Sequence, residues 1–143
     1  MAGLRCLSDP AVVALDTGEF IVKEDLEYEY NGGIKGISFS VIVPSGFITD
    51  FASVPWYGKL FIDRTGPWNK AAALHDWLYT SRGLSRTISD ALFLEAMTIH
   101  GVSKIRRHVM YLAVHLGGGK TYRKAYDNYA KDYPGFLAKF KKD

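Results

Sequence analysis

Strict alternation marks the first part of the chain. In Leu26-Glu27-Tyr28-Glu29-Tyr30 apolar and acidic residues take turns, which puts Leu26, Tyr28 and Tyr30 on one face of a strand and both glutamates in water. Before it come two short apolar runs, Ala11-Val12-Val13-Ala14-Leu15 and Phe20-Ile21-Val22-Lys23, separated by the turn-prone Asp16-Thr17-Gly18. After it, Asn31-Gly32-Gly33 offers the positive-φ residues of a hairpin. The β-branched and aromatic stretch Ile37 to Val43 follows, broken by Pro44-Ser45-Gly46, and Phe47-Ile48 reads as a last short strand.

From residue 68 onward the period lengthens to that of a helix. Trp68 to Thr80 has Pro67 in front, where its missing N–H does no harm, and Ala71, Leu74 and Leu78 share a stripe. Thr87 to His100 is a second helix closed by Gly101. A third begins after the N-cap Ser103, with Ile105, Val109, Leu112 and Leu116 at i, i+4, i+7 and i+11. Gly117-Gly118-Gly119 stops it, and Tyr122 to Ala130 is a short fourth. Strands followed by helices predict an α+β domain, an N-terminal antiparallel sheet of three or four strands covered by a bundle of three or four helices. One domain over 1–143 is expected: 1–48 mainly β, a loop over 49–67, 68–131 mainly helical and a basic tail over 132–143.

Composition changes this picture little. Hydrophobic residues make up 48% and charged ones 23%, as expected for a chain with one packed core. The net charge of +3 is too small for a dense nucleic-acid-binding face, and Lys104, Arg106, Arg107 and Arg123 are spread around their helices, so nucleic acid is not an expected partner. The single Cys6 forms no internal disulfide. No apolar run reaches the length of a membrane span, and no signal-peptide core opens the chain, so synthesis in the cytoplasm is expected.

Candidate chemistry gathers at Thr49-Asp50-Phe51-Ala52-Ser53-Val54-Pro55, at His75-Asp76-Trp77-Leu78-Tyr79 and at Asp90. Carboxylates and an imidazole can hold a divalent ion whose bound water attacks near neutral pH, or can act alone as acid and base. His75, Asp76 and Asp50 are the candidate catalytic residues, and Asp50, His75 and Asp90 the candidate ligands of one divalent ion, zinc or similar. His75 and Asp76 point about 100° apart on a helix, so only one faces a given point squarely. Each also has a plain structural role open to it: a turn cap for Asp50, a first-turn carboxylate for Asp90, a core histidine for His75. His100, His108 and His115 are a weaker metal candidate. Trp56, Tyr57, Trp68 and Trp77 flank the cluster as core, stacking or partner-facing rings. Gly117-Gly118-Gly119-Lys120-Thr121 lacks the upstream glycine of a phosphate-binding loop, since Val114 stands there.

The blocks Gly46 to Pro55, Ala72 to Tyr79, Ser85-Arg86…Asp90 with Ala96-Met97, and Met110 to Val114 with Gly117 resemble, in order, the pattern of a phage and prophage family catalogued as domain of unknown function 1353. His115 stands where that pattern more often has Arg. The resemblance implies a phage or prophage origin, near virion or lysis genes, and makes Asp50, His75, Asp76 and Asp90 the signature polar positions. It brings no settled activity. A likeness to the metal-dependent phosphohydrolases named for a His-Asp doublet fails, because those need an upstream His and none precedes His75.

Two expectations follow. One is a hydrolase, metal-assisted or working by His-Asp acid/base chemistry, acting on cell-wall peptide or amide bonds. The other is a non-catalytic virion part, a tail, baseplate or connector subunit, whose signature residues form a buried polar network and whose partners are other virion proteins. An enzyme leaves its residues in a reachable pocket; a structural network is dry.

Overall fold

The computed structural model describes residues 3–16, 19–32, 36–49, 68–81 and 83–140. The alternating stretch forms β4 (Leu26–Asn31), the centre of one antiparallel sheet between β1 (Gly3–Cys6) and β5 (Phe39–Val43). Tyr28 opposes Cys6 on one side and Val41 on the other. Leu26 and Tyr28 are fully buried, while Glu27 and Glu29 stay partly exposed, as the alternation requires. A second sheet holds β3 (Phe20–Val22) between β2 (Val12–Ala14) and β6 (Ile48–Thr49), also antiparallel. The α+β layout is the expected one, but the described residues carry six strands in two small sheets instead of three or four in one. The unforeseen strand, β1, is four residues long, too short for its alternation to show.

Four helices follow: α1 (Trp68–Ser81), α2 (Arg86–Ile99), α3 (Lys104–Gly117) and α4 (Gly119–Asp132). The central one is α1, in which every residue from Ala71 to Thr80 is buried. It packs against α2, α4, β5 and β6, and three consecutive alanines, 71–73, let those neighbours approach closely. Serine hydroxyls cap α2 and α3: Ser85 accepts from the Ile88 N–H at 3.3 Å and Ser103 from the Arg106 N–H at 3.4 Å. Gly101, at φ 85°, follows the C-terminus of α2 as expected.

Two helical expectations change. The triple glycine is a one-residue joint, and α4 starts at Gly119, three residues before the expected Tyr122. A Cβ on Gly118 would lie 2.9 Å from the Tyr79 hydroxyl oxygen and 2.4 Å from the Val114 carbonyl oxygen, so only glycine fits this close approach. In α3 the inward residues are Met110, Ala113 and Val114, whereas Ile105, Leu112 and Leu116, from the stripe read in the sequence, face solvent.

The sheets are tied to the helices by polar bonds at their edges. The Leu4 N–H donates to Glu95 Oε1 of α2 at 3.0 Å, and the Ile48 N–H donates to the Tyr129 hydroxyl of α4 at 3.0 Å. Phe47, fully buried, sits edge-on to Trp77 and stacks on Tyr129. Trp68 and Trp77 are thus core residues, while Trp56 and Tyr57 lie outside the described residues. The start of the basic tail docks: a 3-10 turn, Leu137–Phe140, buries Leu137. Among the described residues no helix is long and apolar enough to cross a membrane.

Candidate functional site

His75 and Asp90 meet in the middle of the helical layer. His75 projects from α1 toward α2, and its ring lies between Tyr79 and Phe93, with centroids 4.2 and 4.6 Å away. Its Nε2 is 2.7 Å from Asp90 Oδ1, and the Tyr79 hydroxyl donates to the same oxygen at 2.5 Å. Both His75 and Asp90 are 0% exposed. Asp90 is the fifth residue beyond the cap Ser85, too deep in α2 to answer the helix end. The first-turn role read for it from Thr87 therefore does not apply, and its carboxylate turns inward.

The outer side of Asp90 is less complete. Oδ2 makes no hydrogen bond; His115 Nδ1 faces it at 3.4 Å and Arg86 Nε at 4.0 Å, and these two atoms also have no hydrogen-bond partner. Arg86 instead spends its Nη2 on α3, donating to the carbonyls of Val114 (3.2 Å) and His115. His115 stacks on Tyr111 of its own helix. Tyr79 packs edge-on against Tyr122, whose hydroxyl donates to the Leu84 carbonyl at 3.1 Å. One carboxylate thereby gathers side chains from α1, α2 and α3.

Burial dominates the His75 imidazole and pushes its pKa below the usual histidine value, against the pull of Asp90. Burial alone would raise the Asp90 carboxyl. The hydrogen bonds from His75 and Tyr79, with the nearby Arg86 charge, outweigh it and hold the carboxyl below its ordinary range. The Tyr79 hydroxyl is pushed up by burial and by the Asp90 carboxylate. A neutral imidazole, an ionised carboxylate and a protonated phenol follow, so the His75 Nε2–H donates to Oδ1.

Asp76 goes elsewhere. It points from the opposite flank of α1 into a cleft of about 240 Å³ shared with Glu19, Thr80, Thr121, Asn128 and Asp132. The expected angular separation of consecutive helical residues thus sends His75 and Asp76 to different places. Asp50 lies outside the described residues, so its convergence with His75 is not described. No group of three or more His, Cys, Asp or Glu able to hold a metal occurs among the described residues. An ion at His75 Nε2 and Asp90 Oδ1 would first have to displace their mutual hydrogen bond, whereas Asp90 Oδ2 makes none. The other histidines have separate partners: the Tyr28 hydroxyl lies 2.6 Å from His100 Nε2, and His108 Nδ1 is 2.7 Å from the Lys104 carbonyl. Cys6 Sγ donates to the Ser8 carbonyl at 3.0 Å.

A general acid or base must come within hydrogen-bond reach of a substrate. Neither His75 nor Asp90 has accessible surface in this structure, and their bond joins α1 to α2. Tyr79 and Arg86 stand in the quoted sequence blocks without an assigned role, although the spacing holds the clue. Tyr79 is one turn after His75 and Arg86 one turn before Asp90, so each shares a face with the residue it serves.

The comparisons with known proteins agree with the resemblance. A family model described as "Protein of unknown function (DUF1353)" matches residues 20–114, about two-thirds of the chain, and spans His75, Tyr79, Arg86 and Asp90. No curated protein and no solved structure matches. The chain belongs to the DUF1353 family.

Proposed function

We propose that the chain is a non-catalytic structural component of a phage particle, made in the host cytoplasm, with His75 and Asp90 of its signature residues serving as a buried polar lock. The observation that carries this reading is the complete burial of His75 and Asp90, bonded to each other and to Tyr79. A carboxylate that ties together three helices fixes one packing of them, a use to which buried polar groups are well suited. The phage setting comes from the family resemblance, and other virion proteins are the partners it suggests.

One observation favours the hydrolytic alternative. Asp90 Oδ2 is a buried carboxylate oxygen without a hydrogen bond, the kind of atom that a divalent ion at Asp50, His75 and Asp90 would use. Metal content and melting temperature of the parent and of His75→Ala separate the two readings. The lock predicts no stoichiometric metal and a variant that melts well below the parent. Stoichiometric zinc in the parent, lost from a variant that melts at the parent's temperature, overturns it. Detection of the chain at structural copy number in purified particles tests the virion assignment.

A further inference from the structure

The helix α3 has two apolar faces, and the fold uses one. Met110, Ala113 and Val114 are buried against α2 and α4, while Ile105 and Leu116 are each 77% exposed and Leu112 52%. With the half-buried Val109 these residues are spaced four, three and four apart, the d-a-d-a order of a two-helix seam. Scattered exposed apolar residues are ordinary on a protein surface, but a continuous stripe along three turns is not.

The shape and the charge of the stripe each narrow its occupant. The seam is one residue wide and bordered by Arg106, His108 and His115, which suits a second helix. A helix that lies in a bilayer surface presents a broad apolar face. Between Glu95 and Asp127 the chain contains no acidic residue, and it carries Lys104, Arg106, Arg107, Lys120, Arg123 and Lys124 there. Among the described residues neither Lys104 nor Arg106 is ion-paired. A second copy of α3 would bring more positive charge to the seam and no carboxylate to answer it. Flanking charges of opposite sign set partner choice in such pairings.

We propose that the outer face of α3 is a docking site for an amphipathic helix of another protein, with aliphatic residues at heptad spacing and Glu or Asp beside them. This goes beyond the structural reading and does not depend on it, since none of the four apolar seam residues belongs to the His75–Asp90 network. Four apolar side chains are far fewer than the roughly 20–30 residues a side of a standard interface, so a weak contact on the order of micromolar affinity is expected.

The test uses the full chain and two synthetic helices of about three heptads, both with Leu at a and d, one with Glu and one with Lys at e and g. Anisotropy titrations should show saturable binding of the Glu helix, at least tenfold tighter than that of the Lys helix. The variant Leu112→Ser/Leu116→Ser, checked by circular dichroism to retain its helices, should bind the Glu helix at least tenfold more weakly. Absence of saturable binding, equal binding of the two peptides, or binding untouched by the double substitution overturns the proposal. Sedimentation of the chain alone supplies a further contradiction: a dimer abolished by Leu112→Ser/Leu116→Ser would make a second copy the occupant.

Discussion

His75 and Asp76 follow one another in α1, yet their side chains enter opposite surroundings. The His75 side is dry and aromatic, closed by Tyr79 and Phe93, with its polar edge answered by Asp90. The Asp76 side opens on a cleft that it shares with Glu19 and Asp132. The difference follows from the pitch of a helix that is buried all round: neighbours in sequence turn away from each other, and residues one turn apart meet. A His-Asp doublet on such a helix is therefore two separate features, one locking the fold and one lining a cleft.

The sharpest way to break this contrast is to remove the shared carboxylate. Asp90→Ala strips two charge-assisted hydrogen bonds from buried partners and should lower stability by roughly 3 kcal/mol, read from urea denaturation. Asp90→Asn should cost far less, since its amide oxygen still accepts from His75 and Tyr79, and its NH2 would stand opposite His115 Nδ1. Equal losses for the two variants would mean that the charge, not the bonding, holds the site.

Acid should act next. The His75 pKa is depressed in the folded state, so the unfolded chain binds more protons once pH drops below the ordinary histidine value of 6.5. Stability from this group is complete above pH 6.5 and declines as pH falls toward the folded value. His100 is depressed as well, by burial and by Lys70, and contributes in the same window. Melting temperature should thus fall between about pH 6.5 and 5, before the carboxylates titrate, and His75→Gln should remove part of that slope. A slope left unchanged by His75→Gln would assign it to His100 alone.

The smallest effect is expected on the other flank. Asp76, buried like its neighbours in α1, lines the cleft with Glu19 and Asp132; Asp76→Asn keeps its shape while relieving like charge there, and should change stability by no more than about 1 kcal/mol. A loss as large as that of Asp90→Ala would show that both flanks of α1 carry locks of equal weight.

Much of the layout was legible in the chain. Leu26 and Tyr28 fell on the buried face because strand alternation is strict and local, and Ser103 and Gly101 marked helix ends through chemistry that acts within one turn. What escaped depended on distant neighbours. The stripe of α3 was readable as apolar, but whether it faces the core is decided by α2 and α4, which bury Met110 and Val114 instead. The pairing of Asp90 with His75 and Tyr79 was open in the same way. Helical spacing puts Tyr79 on the face of His75, yet only the packing of α2 on α1 brings the carboxylate to both. The joint at Gly118 looked like a stop because its reason, the Tyr79 hydroxyl, lies far away in sequence.

The central claim is that His75 is a dry, neutral donor to Asp90, and nitrogen-15 NMR of its imidazole across pH 5 to 8 tests it directly. A single tautomer protonated at Nε2, an N–H that exchanges slowly with water, and titration displaced below the ordinary histidine value are expected. A ring that titrates near pH 6.5 with a rapidly exchanging N–H would contradict it and return His75 to the candidates for acid/base chemistry.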